Sequence, residues 1–120
     1  MLLTTQTPKK APKKRHKYGA KKVVIDGHKF DSKKEGSRYV DLKMMQLAGH
    51  ITDLKLQPRF ALHAVTPNME WVQLGYYISD FDYMEEGERI IEDVKGMKTA
   101  TYRWKKKHFE AQYDMKIRET

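Results

Sequence analysis

The stretch YYISDFDYMEEGERIIEDVKG, residues 76–96, contains the pattern that decides the fold. Apolar and aromatic residues on both sides of the acidic turn EEGE predict two strands that form a hairpin. Half-buried strands seldom carry many charges, yet four carboxylates and one ammonium group stand within the pattern. These residues are Asp80, Asp82, Glu92, Asp93 and Lys95. Charges inside a hydrophobic pattern indicate chemistry at one end of the sheet.

Alternation along the second strand separates these charges. Asp93 and Lys95 share one face and Glu92 lies on the other, where we expect it to make a surface or partner contact. If the two strands pair across the turn, Asp80 or Asp82 lies near Asp93 and Lys95. Oxygen ligands of this kind suit Mg²⁺, which proteins hold by one or two carboxylates with waters and substrate phosphates. The alternative is a hairpin with solvent-facing acids and one cross-strand ion pair.

Working outward from this stretch, hydrophobic periodicity predicts an α/β arrangement in the order α-β-β-β-α-β, with a central mixed sheet flanked by helices. Residues 23–30 predict a small hairpin before the first helix, which Ser32 would cap and Gly49 would end. Residues 50–65 predict an extended segment that Gln57-Pro58 interrupts, and residues 71–83 predict one strand. A helix over residues 99–114 and a short last strand complete the order.

Composition sets the broad class of the protein. The chain has 120 residues and no cysteine, which predicts one domain without disulfide bonds or thiolate metal ligands. Its apolar runs fall short of the roughly 20 residues that cross a bilayer, so no membrane partner is expected. We expect a protein of the cytoplasm, or of the host cytoplasm if a phage encodes it.

The positive charge is concentrated at the start of the chain. Eight of the 24 basic residues, and none of the 16 acidic residues, lie within residues 1–25, so the remainder is formally neutral. Residues 1–17 are therefore predicted to be a disordered basic arm, followed by one domain over 18–120. Lysines and arginines that neutralise phosphates release counterions, which favours a nucleic acid as the partner. A solvated tail is the simpler alternative.

The charged pattern resembles the PD-(D/E)XK nuclease superfamily. Ser79-Asp80 corresponds to the Pro-Asp element, and Asp93-Val94-Lys95-Gly96 to the acid-X-Lys element. The segment SKKE, which ends at Glu35, resembles the leading helical acid of these enzymes, and Gln57-Pro58 resembles the extended element before their metal-binding strand. The chain also resembles small phage-encoded endonucleases and, more distantly, the Holliday-junction resolvases typified by phage T7 endonuclease I. Two departures are a serine in place of proline at Ser79 and an aspartate in place of the more usual glutamate at Asp93.

The resemblance implies a restriction-endonuclease-like core and a catalytic set. Asp80, Asp93 and the backbone carbonyl of Val94 would hold Mg²⁺ or Mn²⁺, and Glu35 would assist directly or through water. Lys95 would position the attacking water or stabilise the transition state. Glu35 has a second interpretation as a helix-capping acid that reaches back to the backbone of Ser32, and the two roles are compatible.

Further residues are expected around this set. Gln57, Asp82, Thr99 and Tyr102 are candidates for the surroundings of the metal ligands. The basic arm and the last helix are expected to contact the DNA backbone rather than read its sequence. The residues expected to bind DNA are Lys13, Lys14, Arg15, Lys17, Lys98, Arg103 and Lys106.

The resulting hypothesis is a metal-dependent endodeoxyribonuclease that acts on branched or duplex DNA in phage DNA metabolism, with junction resolution as the favoured activity. A chain this small has little surface for branched DNA, so a homodimer that presents two sites is expected. Two alternatives remain open. One is a non-catalytic DNA-binding protein that retains a nuclease-like fold. The other is an RNA-binding or structural phage protein in which the acids are incidental.

Overall fold

The computed structural model describes residues 21–120. The predicted arm, with the DNA contacts proposed for residues 13, 14, 15 and 17, lies outside the described residues. The chain forms two compact units, which divide after Ser37. In chain order the elements are β1 Val23–Ile25, β2 His28–Phe30, α1 Lys33–Leu47, β3 Ile51–Leu56, β4 Arg59–Val65, β5 Trp71–Ile78, β6 Phe81–Glu85, β7 Glu88–Asp93, α2 Ala100–Tyr113 and β8 Ile117–Glu119.

The first unit contains the hairpin that the sequence predicts. Strands β1 and β2 pair antiparallel across Asp26-Gly27, where both residues have positive φ, 53° and 80°. Two consecutive residues of this conformation match the twist of a two-residue hairpin. A side chain at Gly36 would bring its Cβ within 2.7 Å of a Val23 methyl and 3.0 Å of the Ile25 terminus. The glycine in the first turns of α1 is therefore explained by close packing against the hairpin.

Both predicted ends of α1 are confirmed. The side-chain oxygen of Ser32 accepts from the N–H of Glu35 at 3.1 Å, as an N-cap does. At the other end Gly49 has a φ of +84°, and the N–H of His50 reaches back to the carbonyl of Met45 at 2.9 Å. This is the glycine-dependent Schellman arrangement, which satisfies the last free carbonyls of a helix.

The second unit contains a four-stranded mixed sheet in the order β3-β6-β7-β8. The first three strands are antiparallel neighbours, and β8 runs parallel to β7. The turn between β6 and β7 is Glu86-Gly87, with φ values of 50° and 79°. The predicted hairpin, mixed sheet and last strand are thus confirmed.

The strand count between the helices differs from the prediction. Five strands, rather than three, lie between α1 and α2, because residues 71–83 form two strands and residues 51–65 form two more. Within residues 21–120, strands β4 and β5 pair only with each other, in a separate two-stranded sheet. Each long segment changes sheet at one dipeptide, Gln57-Pro58 or Ser79-Asp80, and neither change is visible in a hydrophobic pattern.

The core of the second unit joins the β4–β5 pair to α2 and the mixed sheet. Phe60 of β4 packs edge-on against Phe109 of α2, with ring centroids 4.9 Å apart. Thr99 caps α2, since its side chain accepts from the N–H of Tyr102 at 3.1 Å. The buried residues of this cluster are Phe60, Leu62, Tyr77, Ile91, Tyr102, Phe109 and Ile117. The described part of the chain is therefore a mixed α/β fold with two helices, as predicted. Neither of these helices is long and apolar enough to span a bilayer.

Candidate active site

Two breaks in the strands meet and fix the position of Asp80. The N–H of Gln57 donates to the Asp80 carbonyl at 2.9 Å, and the N–H of Ser79 donates to the Pro58 carbonyl at 3.3 Å. Gln57 has a φ of +51°, so the chain turns sharply before Pro58. The two dipeptides that the sequence singles out are therefore backbone neighbours, and together they place Asp80 at the start of β6.

Asp80 and Asp93 form a closely held pair. The N–H of Asp80 donates to the Asp93 Oδ1 at 3.1 Å and also to the carbonyl of Glu92 at 3.1 Å. In return, the Asp80 Oδ2 accepts from the N–H of Val94 at 2.7 Å. The two acidic residues therefore lie side by side at the end of β7, as predicted for Asp80.

Lys95 lies beyond the end of β7 and beside this pair. Its Nζ is 3.9 Å from the Asp93 Oδ1, and its backbone N–H donates to the Thr120 carbonyl at 3.1 Å. The same ammonium group lies 4.1 Å from the centre of the Tyr102 ring, within cation–π range. The lysine is thus held between one carboxylate and one aromatic face, although β7 itself ends at Asp93.

Asp93 is a buried acid, with 1% of its surface exposed. The Tyr77 hydroxyl donates to its Oδ2. Burial raises the pKa of Asp93 to about 7, and the nearby Asp80 adds to the effect, whereas the Tyr77 hydrogen bond and Lys95 oppose it. Burial beside Asp93 also raises the pKa of Tyr77, which keeps this phenol protonated as a donor. A carboxyl group that titrates near neutrality is poised for chemistry or for a cation.

The donor set fits a hard cation held partly by substrate. Residues 21–120 contain no group of three or more acidic, histidine or cysteine side chains that could form a complete protein site. Mg²⁺ needs no such group, since one or two carboxylates with waters and phosphates commonly bind it. Each carboxylate oxygen can accept more than one contact, so the hydrogen bonds to Asp80 and Asp93 leave acceptor capacity. The residues that would hold the ion are Asp80, Asp93 and the carbonyl of Val94.

Glu35 belongs to the first unit and the aspartate pair to the second. The N–H of Glu35 donates to the Ser32 side chain, so Ser32 is the N-cap of α1 and Glu35 is the third residue after it. The predicted reach of the Glu35 side chain back to the Ser32 backbone stays a prediction. Glu35 is only 6% exposed, which is unusual for a glutamate in the first turn of a helix. Its predicted assistance to the metal stays a prediction.

Asp82 has a partner of its own. Its two oxygens accept from the Arg89 guanidinium at 3.0 and 2.7 Å, across the β6–β7 hairpin. Its register partner on β7 is Ile91, two residues before Asp93. Asp82 thus forms a bidentate ion pair within the hairpin, while Asp80 is the acid that contacts Asp93.

The expected surface contact of Glu92 is wrong, because this residue is completely buried, with 0% exposed. Arg38 donates two hydrogen bonds to it, at 2.6 and 3.0 Å, and Tyr83 and Thr120 donate at 2.5 and 3.1 Å. Burial alone would raise the pKa of Glu92, but the hydrogen bonds from Arg38 and Tyr83 lower it below the usual value. Glu92 therefore remains ionised within the protein as half of a buried ion pair.

Basic residues of α2 and of the segment before it surround an acid of β8. Lys98 and Lys106 lie 3.0 and 3.4 Å from the Glu119 carboxylate, and the Tyr102 hydroxyl donates to it at 2.6 Å. The hydrogen bond from Tyr102, with those from the two lysines, lowers the pKa of Glu119 to about 2. An open groove of about 560 Å³ runs along these residues and the exposed Arg103. The predicted DNA contacts Lys98, just before α2, and Arg103 and Lys106, within it, thus line one surface.

Residues 15–120 match the family described as "Protein of unknown function (DUF1064)". The chain belongs to the DUF1064 family. Comparison with curated proteins found no match, and comparison with solved structures found none. The chemistry of this DUF1064 chain is therefore argued from its own geometry.

The sequence identified part of the site in this DUF1064 chain. Asp80, Asp93 and Lys95 come together as predicted. Tyr77 was missed, because β5 is an almost entirely apolar run, WVQLGYYI, in which alternation does not distinguish the buried Tyr77 from the exposed Tyr76. Arg38 carried no signal, because its contact with Glu92 joins residues 54 positions apart.

Proposed function

We propose that this chain is a metal-dependent endodeoxyribonuclease with a restriction-endonuclease-like core, selective for branched DNA. The observation that carries the proposal is the Asp80–Asp93 pair beside Lys95 at the end of a mixed sheet, in which Asp93 is buried and Asp80 is half-buried. Clustered carboxylates facing phosphate hinder plain DNA binding, whereas a site that recruits a divalent cation uses them. The resemblance to PD-(D/E)XK enzymes and their phage-encoded resolvases supports the same proposal.

The protein residues have distinct parts in this reaction. When bound, Mg²⁺ or Mn²⁺ polarises the scissile phosphate and makes a bound water more acidic. The N–H of Val94 holds the Asp80 carboxylate in place, and the Tyr77 hydroxyl holds that of Asp93. Lys95 presents an ammonium group beside them, where it stabilises negative charge that develops on the phosphate.

The surface for DNA is proposed on the same unit. Lys98, Arg103 and Lys106 line the groove along α2 and supply positive charge for the backbone. Lys98 and Lys106 are paired with Glu119, so a phosphate that binds them takes the place of a carboxylate oxygen. Binding there is expected to depend steeply on salt.

The test is cleavage of a labelled four-way junction, a 5′-flap and a plain duplex with Mg²⁺, Mn²⁺ or EDTA. Asp93→Asn and Lys95→Ala are expected to bind DNA but to lose at least about 10²-fold in cleavage rate. Asp41→Asn and Lys116→Ala change an exposed acid and an exposed lysine and should cut as the wild type does. Cleavage by the wild type that persists in EDTA would contradict metal dependence.

A second function is favoured by one observation. Three of the four oxygens of Asp80 and Asp93 already accept hydrogen bonds from the protein, as they would in a purely structural pair. The chain would then be a non-catalytic DNA-binding protein with a nuclease-like fold. Binding of all three DNAs without cleavage in either metal would establish this second function. Equal cleavage of all three would retain the nuclease and remove the selectivity for branches.

A further inference from the structure

A further open groove lies between α2 and the β4–β5 sheet. Side chains of α2 cover the edge of β4: Gln112 and Tyr113 both donate to the Ala61 carbonyl, at 3.1 and 2.8 Å. The His108 Nε2 donates to the His63 carbonyl at 2.7 Å. The space left beside these contacts has a volume of about 430 Å³. We call it the β5 groove, and its lining includes Leu74, Tyr76, Trp104, Lys105, Lys107 and His108.

Trp104 is the most exposed aromatic side chain of this groove. It is 73% exposed, although the same helix buries Tyr102 and Phe109 in the core. A tryptophan stabilises a fold mainly through the area that it buries, so this one contributes little to the core. The Lys107 Nζ lies 5.7 Å from the centre of the Trp104 ring, within cation–π range. Trp104 therefore presents a large aromatic surface to solvent with a cation beside it.

Tyr76, the other aromatic ring of the β5 groove, is less available. It is 38% exposed, and the Arg59 guanidinium lies 4.3 Å from the centre of its ring. One face of Tyr76 is thus already in contact with a cation of the protein. Trp104 is therefore the ring that a ligand can reach.

The charge of the β5 groove is positive. None of the described residues that line it is acidic. In the part of the chain that the structure describes, Lys106 is paired with Glu119, whereas Lys105 and Lys107 form no ion pair. Both of these lysines are exposed. Lysines without a carboxylate partner can bind phosphates and release their counterions, so the groove suits an anionic ligand.

The combination of an open ring with lysines selects the ligand. Residues 1–20 of this chain carry six cations and no acid, so the lysines of the groove repel them. A duplex presents phosphates but keeps its bases stacked on one another. A single strand presents both phosphates and unstacked bases, and proteins bind such strands with a basic groove and aromatic rings.

Trp104 also connects the β5 groove to the groove along α2 that the proposed function assigns to DNA. Trp104 and Lys107 line both grooves. The indole ring therefore stands at the boundary between them. A strand that leaves a duplex bound along Lys98, Arg103 and Lys106 would meet this ring as it enters the β5 groove.

We propose that Trp104, with Lys105 and Lys107, forms a binding site for unpaired nucleotides of single-stranded DNA. One base stacks on the indole ring, and the phosphates beside it lie against the two lysines. The site deepens the proposed function, on which it rests for DNA as the partner, by naming unpaired nucleotides as the feature of branched DNA that this chain binds. It does not rest on cleavage, because stacking and charge require no metal.

The first test measures binding of the full chain, in EDTA, to oligothymidylate, to an abasic oligomer of the same length and to a duplex. Trp104→Leu removes the aromatic ring and should weaken binding of oligothymidylate at least about 5-fold, the effect of one stacked base. Its binding of the abasic oligomer and the duplex should be unchanged, because neither offers a free base to the ring. Trp104→Phe should retain most of the affinity for oligothymidylate.

Trp71→Leu is the matched control for this test. Trp71 is 66% exposed and is not among the described residues that line the β5 groove, so all affinities should stay as in the wild type. Lys105→Ala should reduce the slope of log affinity for oligothymidylate against log salt by about 0.7. Equal losses in Trp104→Leu and Trp71→Leu, or equal losses of oligothymidylate and abasic oligomer in Trp104→Leu, overturn the proposal. Tighter binding of oligouridylate than of oligothymidylate overturns DNA as the partner.

A second test keeps Trp104 in place. The chain has two tryptophans, so Trp71→Phe leaves Trp104 as its one indole. A base that stacks on this ring quenches its fluorescence, so oligothymidylate should quench the emission of Trp71→Phe and the abasic oligomer should not. In Trp104→Phe, the emission of Trp71 should stay unchanged. Binding of oligothymidylate to Trp71→Phe without quenching overturns the site.

Both tests are separable from the test of the nuclease. They are run in EDTA, where metal-dependent cleavage does not occur. Absence of cleavage with Mg²⁺ and Mn²⁺ would overturn the nuclease and leave the quenching of Trp104 as evidence for this site. Cleavage without quenching would retain the nuclease and overturn the site.

Discussion

Adjacent residues of β7 bury two acids in opposite ways. Glu92 has 0% exposure and accepts a bidentate contact from Arg38, so its pKa is lowered despite burial. Asp93 has 1% exposure, and its nearest ammonium group, on Lys95, is 3.9 Å away, so burial raises its pKa to about 7. The two pKa values shift in opposite directions because the counter-ions differ, since both acids are buried to the same extent. Glu92, on one face of the strand end, contributes to stability through its ion pair. Asp93, on the other face, has a charge that is not fully balanced.

The largest effect is expected from breaking the balanced pair. Arg38→Met leaves the Glu92 carboxylate buried without its counter-ion and should lower the free energy of unfolding by about 3 kcal/mol or more, measured by urea denaturation. The control Lys116→Met breaks the pair of a 90% exposed lysine with Glu110 and should cost less than about 1 kcal/mol. Glu92→Gln added to Arg38→Met should recover part of the loss. Equal costs for Arg38→Met and Lys116→Met would contradict the comparison.

Asp93, the acid whose charge is not fully balanced, should change stability with pH in the direction opposite to Glu92. The pKa of Asp93 is about 7 in the folded protein against about 3.9 in an unfolded chain, so between these values the folded state binds the extra proton. Stability should therefore fall as pH rises from 4 to 7, and Asp93→Asn should flatten this fall. At pH 8 the variant is expected to be more stable than the wild type by about 2 kcal/mol while lacking cleavage activity.

Unfolding curves of the wild type and Asp93→Asn over this pH range check the prediction. Glu92→Gln is the variant to compare with Asp93→Asn, because the pKa of Glu92 is lowered where that of Asp93 is raised. The stability that Glu92 contributes is present above about pH 4.3 and is lost as the pH falls through its folded value. If the stability of wild type and of Asp93→Asn changed with pH in the same way, the contrast drawn between Asp93 and Glu92 would be contradicted.

A smaller effect is expected from the donor that holds Asp93. Tyr77→Phe removes the hydroxyl that stabilises the ionised carboxylate, so the pKa of Asp93 should rise above about 7. Loss of this hydrogen bond should cost about 1–2 kcal/mol of stability at pH 8. Side-chain carbon NMR of Asp93 measures the first effect. Tyr76→Phe changes the exposed neighbour and should change neither quantity.

The smallest effect on stability is expected at Lys98, just before α2. Lys98 is 46% exposed on its side chain, so Lys98→Ala should change the free energy of unfolding by about 0.5 kcal/mol or less. Its effect should appear instead in DNA binding, with the salt dependence reduced by about one counterion. Lys116→Ala, with a side chain 90% exposed, is the control. An unchanged salt dependence would remove Lys98 from the DNA surface.

Much of the local structure was predictable because its causes are local. Ser32 and Gly49 set the ends of α1 through hydrogen bonds that span a few residues. The turn at Glu86-Gly87 requires two positive φ values, which its glycine favours. The interruption predicted at Gln57-Pro58 is likewise present, because the chain turns at Gln57 between β3 and β4.

The site was predictable only in part. Asp80, Asp93 and Lys95 were found from order along the chain, since a tight hairpin brings these positions together. The burial of Glu92 was not, because alternation gives the face of a side chain but not what covers that face. Among the residues that bury Glu92 is Arg38, which lies far away in sequence.

The sequence by itself determined the caps, the turns, the hairpin and the acids that the hairpin aligns, because each follows from backbone chemistry within a few residues. Only the tertiary structure decided which of the two adjacent acids is neutralised and which edge of the β4–β5 sheet α2 covers. Both depend on distant groups, Arg38 for the acid and Gln112 with Tyr113 for the edge of β4. Burial and charge balance are properties of the folded surroundings, so they appear only when the elements are packed together.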